Sequence, residues 1–321
     1  MRRIALEEAF WLPELSAEGY SFAHLPPRNP RWREHVEQRL IDFDQYRLAD
    51  MDEYGIDMQV LSLTTPGVQG LPDAEMAVRD ARVANTRLAE IISKYPDRYA
   101  GLAALPLQDP DAAAAELERC VTELGLRGAL VNDHTLGRYL DDRAFDVVWE
   151  RLQSLDVPLY IHPNAMSADS WKVLSGYPFL AGSTFGWGAA VAGHALRLIY
   201  GRVFDRFPGA TVILGHMGEF LPFQVSRLDS RFPSLDMDEP PTKFPSQYFR
   251  ENIMITTSGV PSHSALIAAI DAVGIDRVMF AIDYPYESTA TAVSFLDSAP
   301  LPPADLEQVA FRNATRVLRL D

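Results

Sequence analysis

Short apolar runs rich in β-branched residues recur along the chain, and each is followed by a loop and then by apolar residues at helical spacing. Eight runs predict strands, at 4–9, 59–64, 99–105, 128–132, 158–162, 210–215, 252–257 and 278–282. Helical patterns occupy 38–54, 74–95, 111–124, 142–155, 189–207, 221–232 and 264–273, and a last one occupies 303–318. The order is strand, helix, strand throughout.

This alternation predicts an α/β fold with a parallel sheet, because parallel strands need crossover connections. Eight units are the number that closes a (β/α)8 TIM barrel, and a doubly wound open sheet is the main alternative. No linker-like composition or internal repeat divides the chain, so we expect one domain over 1–321. The least regular stretch, 16–33, either covers the barrel mouth or is a surface loop without function.

Composition and charge narrow the function classes. The chain is 47% hydrophobic and 23% charged, as soluble globular proteins are. Its net charge of −15 opposes binding to nucleic acid and to anionic membranes, both of which are negatively charged. Cys120 is the single cysteine and is expected to be a buried structural thiol. With no signal-peptide pattern and no apolar run of membrane-spanning length, a cytoplasmic protein is expected.

Polar residues stand at the ends of three predicted strands: Glu7 in the first, His162 in the fifth and Asp283 after the eighth. In a barrel these strand ends share one mouth, so the three side chains should converge. Two carboxylates and one imidazole suit Zn²⁺, Mn²⁺ or Mg²⁺ and leave positions open on the ion. We therefore predict one divalent metal ion. Taken singly, Asp283 fits a turn residue, His162 a core histidine, and Glu7 a solvated carboxylate with Glu8 equally placed.

A second histidine, His216, follows the sixth predicted strand between two glycines. It is a candidate for binding substrate or moving protons, and Glu219 for fixing its tautomer. The alternative is a structural strand-to-helix turn. His194 lies inside a helical pattern, where a partner of the site and a packed histidine are equally plausible.

Other kinds of site leave little trace in the sequence. There is no glycine-rich phosphate loop, no Gly-x-Ser-x-Gly turn and no cysteine pair for structural zinc. We therefore expect no organic cofactor and no serine nucleophile.

Six motifs in one order carry a family resemblance, at 5–10, 104–110, 128–132, 214–219, 255–259 and 283–287. Through them nearly the whole chain resembles the amidohydrolase superfamily of metal-dependent (β/α)8 barrels. The similarity is to its decarboxylase branch, which contains γ-resorcylate, 2,3-dihydroxybenzoate and salicylate decarboxylases and, more distantly, aminocarboxymuconate semialdehyde decarboxylase.

The resemblance implies roles for particular residues. Glu7, His162 and Asp283 match the family's metal ligands, His216 with Glu219 matches its active-site pair, and Asn132 matches a position that contacts substrate. Two motifs depart from the pattern. Ala9 stands where many relatives have a histidine ligand, and Asn164-Ala165-Met166 replaces the Arg-Asn-Pro that follows His-Pro in resorcylate-type enzymes. Candidates for an aromatic wall around the substrate are Phe22, Trp187 and Tyr284.

The resemblance implies a metal-dependent, non-oxidative decarboxylase of an ortho-hydroxybenzoate-like aromatic acid. Asp283 would protonate the ring carbon that bears the carboxylate, and His216 would polarise or position the substrate. One alternative is a metal-dependent hydrolase or hydratase in which Asp283 is the general base for water. Another is an inactive barrel that serves as a binding or assembly module. Because relatives form dimers or tetramers, a homo-dimer or homo-tetramer is expected.

Overall fold

The computed structural model describes residues 1–15, 29–164 and 171–320. Its strands pair only in parallel within two sheets, with orders β1-β2-β3 and β4-β5-β6-β7-β8-β9. The strands are β1 (Ile4–Phe10), β2 (Met58–Leu63), β3 (Tyr99–Gly101), β4 (Ala103–Ala104), β5 (Ala129–Asn132), β6 (Leu159–His162), β7 (Val212–Leu214), β8 (Ile253–Thr256) and β9 (Val278–Met279). Each predicted strand therefore exists, and 99–105 is divided into β3 and β4.

The two sheets continue into one another. Leu102, between β3 and β4, donates its N–H to Leu61 O at 2.9 Å, while Ala103 donates to Gly128 O at 2.9 Å. On the other side, a parallel bridge joins Leu6 to Ala281, just after β9. This strand order confirms the predicted (β/α)8 fold. The seam between the first and last strands is a single bridge rather than a regular ladder.

Helices follow the strands as predicted, with several differences: 38–54 is interrupted, 189–207 is divided into two helices, 303–318 contains a π-helical stretch at 308–312, and two helices were not predicted. The helices are α1 (Pro30–Leu40), α2 (Arg47–Tyr54), α3 (Ala74–Lys94), α4 (Pro110–Thr122), α5 (Asp146–Leu155), α6 (Gly186–Tyr200), α7 (Val203–Arg206), α8 (Val225–Arg231), α9 (Pro245–Asn252), α10 (His263–Val273), α11 (Thr289–Asp297), α12 (Pro303–Glu307) and α13 (Asn313–Leu318). The predicted helix 38–54 is interrupted because the Asp42 carboxylate accepts the N–H groups of Gln45, Tyr46 and Arg47 at 2.8–3.0 Å. Helices α9 and α11 were not predicted.

The core has two layers. Alternate strand residues such as Ile4, Leu6, Val60 and Ile213 fill the barrel interior, and a larger cluster lies between strands and helices. Cys120 is buried in that outer cluster, as predicted. Across the described ranges, we find no helix with the length and apolarity needed for a membrane span.

The first strand departs from alternation where it reaches the mouth. Ile4 and Leu6 point into the barrel, so strict alternation would send Glu8 there next. Instead the register shifts between Ala5 and Glu8, and Glu7 adopts a left-handed φ of 66°. This bulge brings Glu7 to the mouth and turns Glu8 away from it.

Candidate metal and active site

A cleft of about 1240 Å³, measured out to its open mouth, lies at the C-terminal ends of the strands. His162, His216 and Asp283 form part of its polar floor. Its walls are largely aromatic, from Trp32, Phe185, Trp187, Phe220 and Tyr286. An apolar cavity with a few convergent polar groups is the usual form of a small-molecule site.

The two oxygens of the Glu7 carboxylate have different surroundings. Tyr160 and Ser258 donate O–H hydrogen bonds to Oε2, and Thr256 Oγ1 lies 3.4 Å from the same oxygen. Gly215 leaves the necessary space, because a Cβ there would lie 2.9 Å from Glu7 Oε2. Oε1 is buried and has no hydrogen-bond donor among the described residues.

Two imidazoles face this free oxygen. Glu7 Oε1 is 3.6 Å from His162 Nε2 and 3.2 Å from His216 Nε2. Asp283 Oδ2 lies 3.7 Å from His216 Nε2. Glu7, His216 and Asp283 offer ligand atoms within 4.8 Å of one another, whereas His162 reaches the cluster through Glu7. Of the predicted ligands, Glu7 and Asp283 therefore share this group with His216, and His162 adjoins it at Glu7.

The hydrogen bonds of His162 fix its tautomer. Its Nδ1 lies 3.0 Å from Asn132 Oδ1 and 2.8 Å from Pro163 O, and both atoms are acceptors. Nδ1 therefore carries the proton, and the Nε2 lone pair faces Glu7. Burial lowers the pKa of His162 to about 4 against the opposing charge of Glu7, so the ring is neutral. Asn132, expected at the substrate, accepts the hydrogen bond of His162 Nδ1 and is not among the described residues lining the cleft; its contact with substrate stays a prediction.

His216 has the opposite protonation preference. Its Nδ1 is 2.5 Å from Glu219 Oε1, which is the predicted pair. Burial disfavours the charged ring, yet Glu7, Glu219 and Asp283 together raise the pKa of His216 well above its ordinary value. Burial also raises the pKa of Asp283 to about 7, against the lowering effect of the nearby His216 ring. An imidazole that favours the protonated form thus lies beside a carboxyl group with a raised pKa.

The loop that carries His216 and Glu219 has an unusual backbone. Five consecutive residues, 216–220, have positive φ between 48° and 75°, and only Gly218 among them lacks a Cβ. A left-handed turn costs roughly 1–2 kcal/mol per L-residue, so packing must stabilise it. Within this left-handed turn, His216 and Glu219 are three residues apart along the chain, and their side chains lie side by side. Neither the sequence pattern nor the turn propensities predicted this conformation.

Comparison with known proteins connects this geometry to a family, since a family model described as Amidohydrolase matches residues 23–320. The chain belongs to this amidohydrolase family. A γ-resorcylate decarboxylase of Rhodococcus jostii (strain RHA1) is 40% identical over 334 aligned residues, which cover 99% of each chain.

Solved structures agree with this relationship. The amidohydrolase matches a 2,6-dihydroxybenzoate decarboxylase in complex with 2,6-dihydroxybenzoate at a TM-score of 0.93 and 39% identity, covering 99% of both chains. A dihydroxybenzoic acid decarboxylase from Polaromonas sp. JS666, with bound manganese and the inhibitor 2-nitroresorcinol, matches with TM-score 0.93 and 38% identity, covering 99% of this chain and 97% of the other. The predicted family resemblance is confirmed.

The three aromatic residues predicted to line the amidohydrolase cleft have different positions. Trp187 lines it, with its ring centroid 6.3 Å from that of His162. Tyr284 is buried with its ring 4.5 Å below the Arg47 guanidinium and is absent from the described lining. Alternation along the chain explains this, because Met279 and Ala281 belong to the inner cluster, whereas Phe280, Ile282 and Tyr284 belong to the outer one. Phe22 lies outside the described residues.

Several lining residues were missed by the sequence reasoning. Tyr286 takes the place expected for Tyr284 and pairs with Thr64 through their hydroxyls at 2.5 Å. It belongs to the 283–287 motif, which was therefore a usable signal. Trp32, Phe185 and Phe220 lie in loops or helix starts that no periodicity marks.

His194 is a packed histidine rather than a cleft residue. Its Nδ1 lies 2.8 Å from Asp133 Oδ1, and its Nε2 accepts the N–H of Leu140 at 3.0 Å. Both ring nitrogens are therefore used within the protein. Of the two interpretations of His194, the structural one describes these contacts.

Proposed function

We propose that this amidohydrolase is a metal-dependent carboxy-lyase that removes CO₂ from an ortho-hydroxybenzoate-like acid without an organic cofactor. The observation that carries the proposal is the cluster of Glu7, His162, His216 and Asp283 under aromatic walls. The full-length decarboxylase relatives confirm the general prediction of an aromatic-acid decarboxylase.

The donor set fits a divalent cation, because a buried carboxylate oxygen without a donor faces imidazole and carboxylate groups. Glu7, His162 and Asp283 are the proposed ligands. His162 is preferred to His216 because it is neutral and presents a lone pair, whereas His216 favours the protonated form. When bound, the ion supplies a Lewis acid that favours negative charge on substrate oxygens. Among Mn²⁺, Zn²⁺ and Mg²⁺ we favour Mn²⁺, the ion in the Polaromonas structure.

The protein's own groups account for the proton chemistry. Asp283 donates a proton to the ring carbon that bears the carboxylate, as a positioned general acid. That carbon becomes tetrahedral and the ring loses aromaticity. The C–C bond to the carboxylate then breaks, its electron pair restores the ring, and CO₂ leaves. Ionised Asp283 regains a proton from solvent. His216, held by Glu219, donates a hydrogen bond that orients the substrate.

A screen for CO₂ release tests this function. Wild-type protein is assayed on 2,6-dihydroxybenzoate, 2,3-dihydroxybenzoate and salicylate with each of the three metals. We expect release from at least one acid and none from 4-hydroxybenzoate, which lacks the ortho hydroxyl. Asp283→Asn should lower kcat by about 100-fold or more, because a positioned proton donor typically contributes that much.

Two results would contradict the proposal. If no ortho-hydroxy acid releases CO₂, the substrate class is wrong, and if Asp283→Asn stays fully active, the proton donor is wrong. Oxygen from labelled water in the product would favour the hydratase alternative. The domain extent 1–321, the cytoplasmic location and the homo-dimer or homo-tetramer stay predictions.

A further inference from the structure

The chain just after β9 is held by side chains where a barrel would ordinarily have a ladder. Ile282 donates its N–H to Glu8 Oε1 at 3.0 Å, and Tyr284 donates its N–H to Glu8 Oε2 at 3.2 Å. On the opposite side, Thr257 Oγ1 accepts the N–H of Ala281 at 3.0 Å and donates to its carbonyl oxygen at 3.1 Å. One carboxylate therefore binds the two amides that flank Asp283.

This arrangement matters because Asp283 has a backbone conformation that L-residues disfavour. Its φ is 75°, and a non-glycine residue keeps such a value only when its neighbours fix the chain. Glu8 fixes the residues on either side of Asp283 through the N–H groups of Ile282 and Tyr284, and Ala9 N–H adds a hydrogen bond to Tyr284 O at 2.7 Å. Within the described part of the chain, Glu8 is fully buried and does not line the cleft, so it acts only through the backbone it holds.

We propose that Glu8 is a positioning residue of the active site: by binding the amides of Ile282 and Tyr284, it aims the Asp283 carboxylate at Glu7 and His216. The proposal rests on the proposed function to the extent that Asp283 serves there as ligand and proton donor. Asp283 Oδ2, 3.7 Å from His216 Nε2, is the atom whose placement depends on this contact.

The chemistry of the contact requires a carboxylate. Two amide donors need two acceptor oxygens, and an ionised glutamate supplies both, whereas glutamine supplies one oxygen and an NH₂ group that would oppose an N–H. Aspartate has the two oxygens but is one methylene shorter. Arg47, fully buried in the same layer with Nη2 2.6 Å from Ala9 O, supplies nearby positive charge. Burial raises the pKa of Glu8, and the two N–H donors and Arg47 oppose that rise. The geometry, with one amide on each oxygen, is what identifies both oxygens as acceptors.

The test compares Glu8→Gln with Glu116→Gln. Glu116 is also buried, and it binds Asn85 and Arg119 on the helices outside the barrel; neither partner is among the described residues lining the cleft. Three quantities are measured: amide hydrogen exchange over residues 280–287, the dissociation constant for Mn²⁺ alone, and kcat and KM for 2,6-dihydroxybenzoate.

In Glu8→Gln we expect faster exchange over 280–287 and a Mn²⁺ dissociation constant raised by about 10- to 100-fold, the usual effect of losing a group that orients a ligand. The kcat should fall more than KM changes. Glu116→Gln should lower Tm but leave exchange over 280–287, the Mn²⁺ dissociation constant and kcat as in wild type.

Unchanged exchange in Glu8→Gln would overturn the proposal, and so would faster exchange with wild-type Mn²⁺ affinity. If Glu8→Gln weakens Mn²⁺ binding while the wild type decarboxylates no hydroxybenzoate, the positioning role is supported and the proposed function fails. If the wild type binds no Mn²⁺, the ligand assignment of Asp283 fails and the proposal is overturned.

Discussion

The orientation of Glu7 depends on hydroxyl groups rather than on charges. Tyr160, Thr256 and Ser258 all approach Oε2, and Ser258 also accepts the N–H of His216 at 2.9 Å. The Ser258 proton is therefore directed at Glu7, and the carboxylate is held with Oε1 toward the imidazoles. Such partners of a ligand contribute to affinity because they restrict its rotation before the ion arrives.

Tyr160→Phe should raise the Mn²⁺ dissociation constant by about 10- to 100-fold, because Glu7 loses one of the buried hydroxyl donors to Oε2. Titration of metal-free protein against a competing chelator measures this constant.

Tyr99→Phe is the matched control for that change. Tyr99 is also buried, but its hydroxyl donates to Phe43 O at 2.6 Å. Both variants should lose about 1 kcal/mol of stability with one hydrogen bond, yet only Tyr160→Phe should bind Mn²⁺ more weakly. Equal Mn²⁺ affinity in the two variants would show that Glu7 does not need Tyr160.

At the scale of elements, helix α6 shapes the left-handed turn that carries the His216–Glu219 pair. Gly188 lies in the first turns of this helix, and a Cβ there would come within 2.6 Å of Glu219 Oε2 and 2.9 Å of the Phe220 ring. Further along the same helix, a Cβ on Gly193 would have no atom within 4 Å. Alanine substitutions at Gly188 and Gly193 therefore distinguish the effect of packing against the site from the effect of helix propensity.

Gly188→Ala should lower kcat/KM for the decarboxylated acid at least tenfold, because the new methyl group displaces Glu219 from His216. Gly193→Ala should keep wild-type kcat/KM and stabilise the protein by about 0.5–1 kcal/mol through helix propensity. Steady-state kinetics and urea denaturation of both variants provide the comparison. Wild-type kinetics in Gly188→Ala would mean that the turn adjusts without cost.

Strands and helices with a strong apolar periodicity were predicted from the sequence. Short helices whose start depends on a capping residue were missed. All eight strands were predicted because buried parallel strands are continuous apolar runs. Helix α9 was missed because it has only 8 residues, and its start depends on a proline and a capping Gln247 rather than on an apolar stripe. Helix α11, with 9 residues, likewise begins at a capping serine, Ser288.

For the whole molecule, metal binding and folding are linked. Glu7 and Asp283 come from the two strands that meet at the seam, so an ion bound between them would stabilise the folded chain but not the unfolded one. The bridge at Leu6–Ala281 is the only regular strand pairing at that seam among the described residues. A metal ion would therefore link the first and last strands of the barrel at the place where they share a single backbone bridge.

Adding Mn²⁺ at one hundred times its dissociation constant should raise Tm by roughly 4 °C, since that excess contributes about 2.7 kcal/mol and unfolding entropy is about 2.1 cal/mol/K per residue. Differential scanning calorimetry with and without a chelator measures the shift. In Glu7→Gln the shift should disappear. A shift of the same size in that variant would locate the ion elsewhere.

The site was predictable to the extent that it depends on strand ends. Glu7, His162 and Asp283 were predicted because a barrel brings all strand ends to one mouth. The hydrogen bond between Asn132 and His162 was not predicted, since a side-chain hydrogen bond leaves the apolar pattern unchanged. The outer position of Tyr284 had a usable signal, because it alternates with the inner residues Met279 and Ala281. Tyr160 had a usable signal, because it lies two residues before His162 on the same strand and so faces the same side.

The hydrogen bonds from Ile282 and Tyr284 to Glu8 also determine when, during synthesis, the chain can assemble this part of the site. These partners are 274 and 276 residues apart along the chain. At a translation rate of about 5–20 residues per second, Glu8 waits roughly 14–55 s on the ribosome before its amides emerge. Until then the nascent protein lacks Asp283, one of its three proposed metal ligands, and release of the chain upstream of Ile282 yields a product that cannot complete the proposed site.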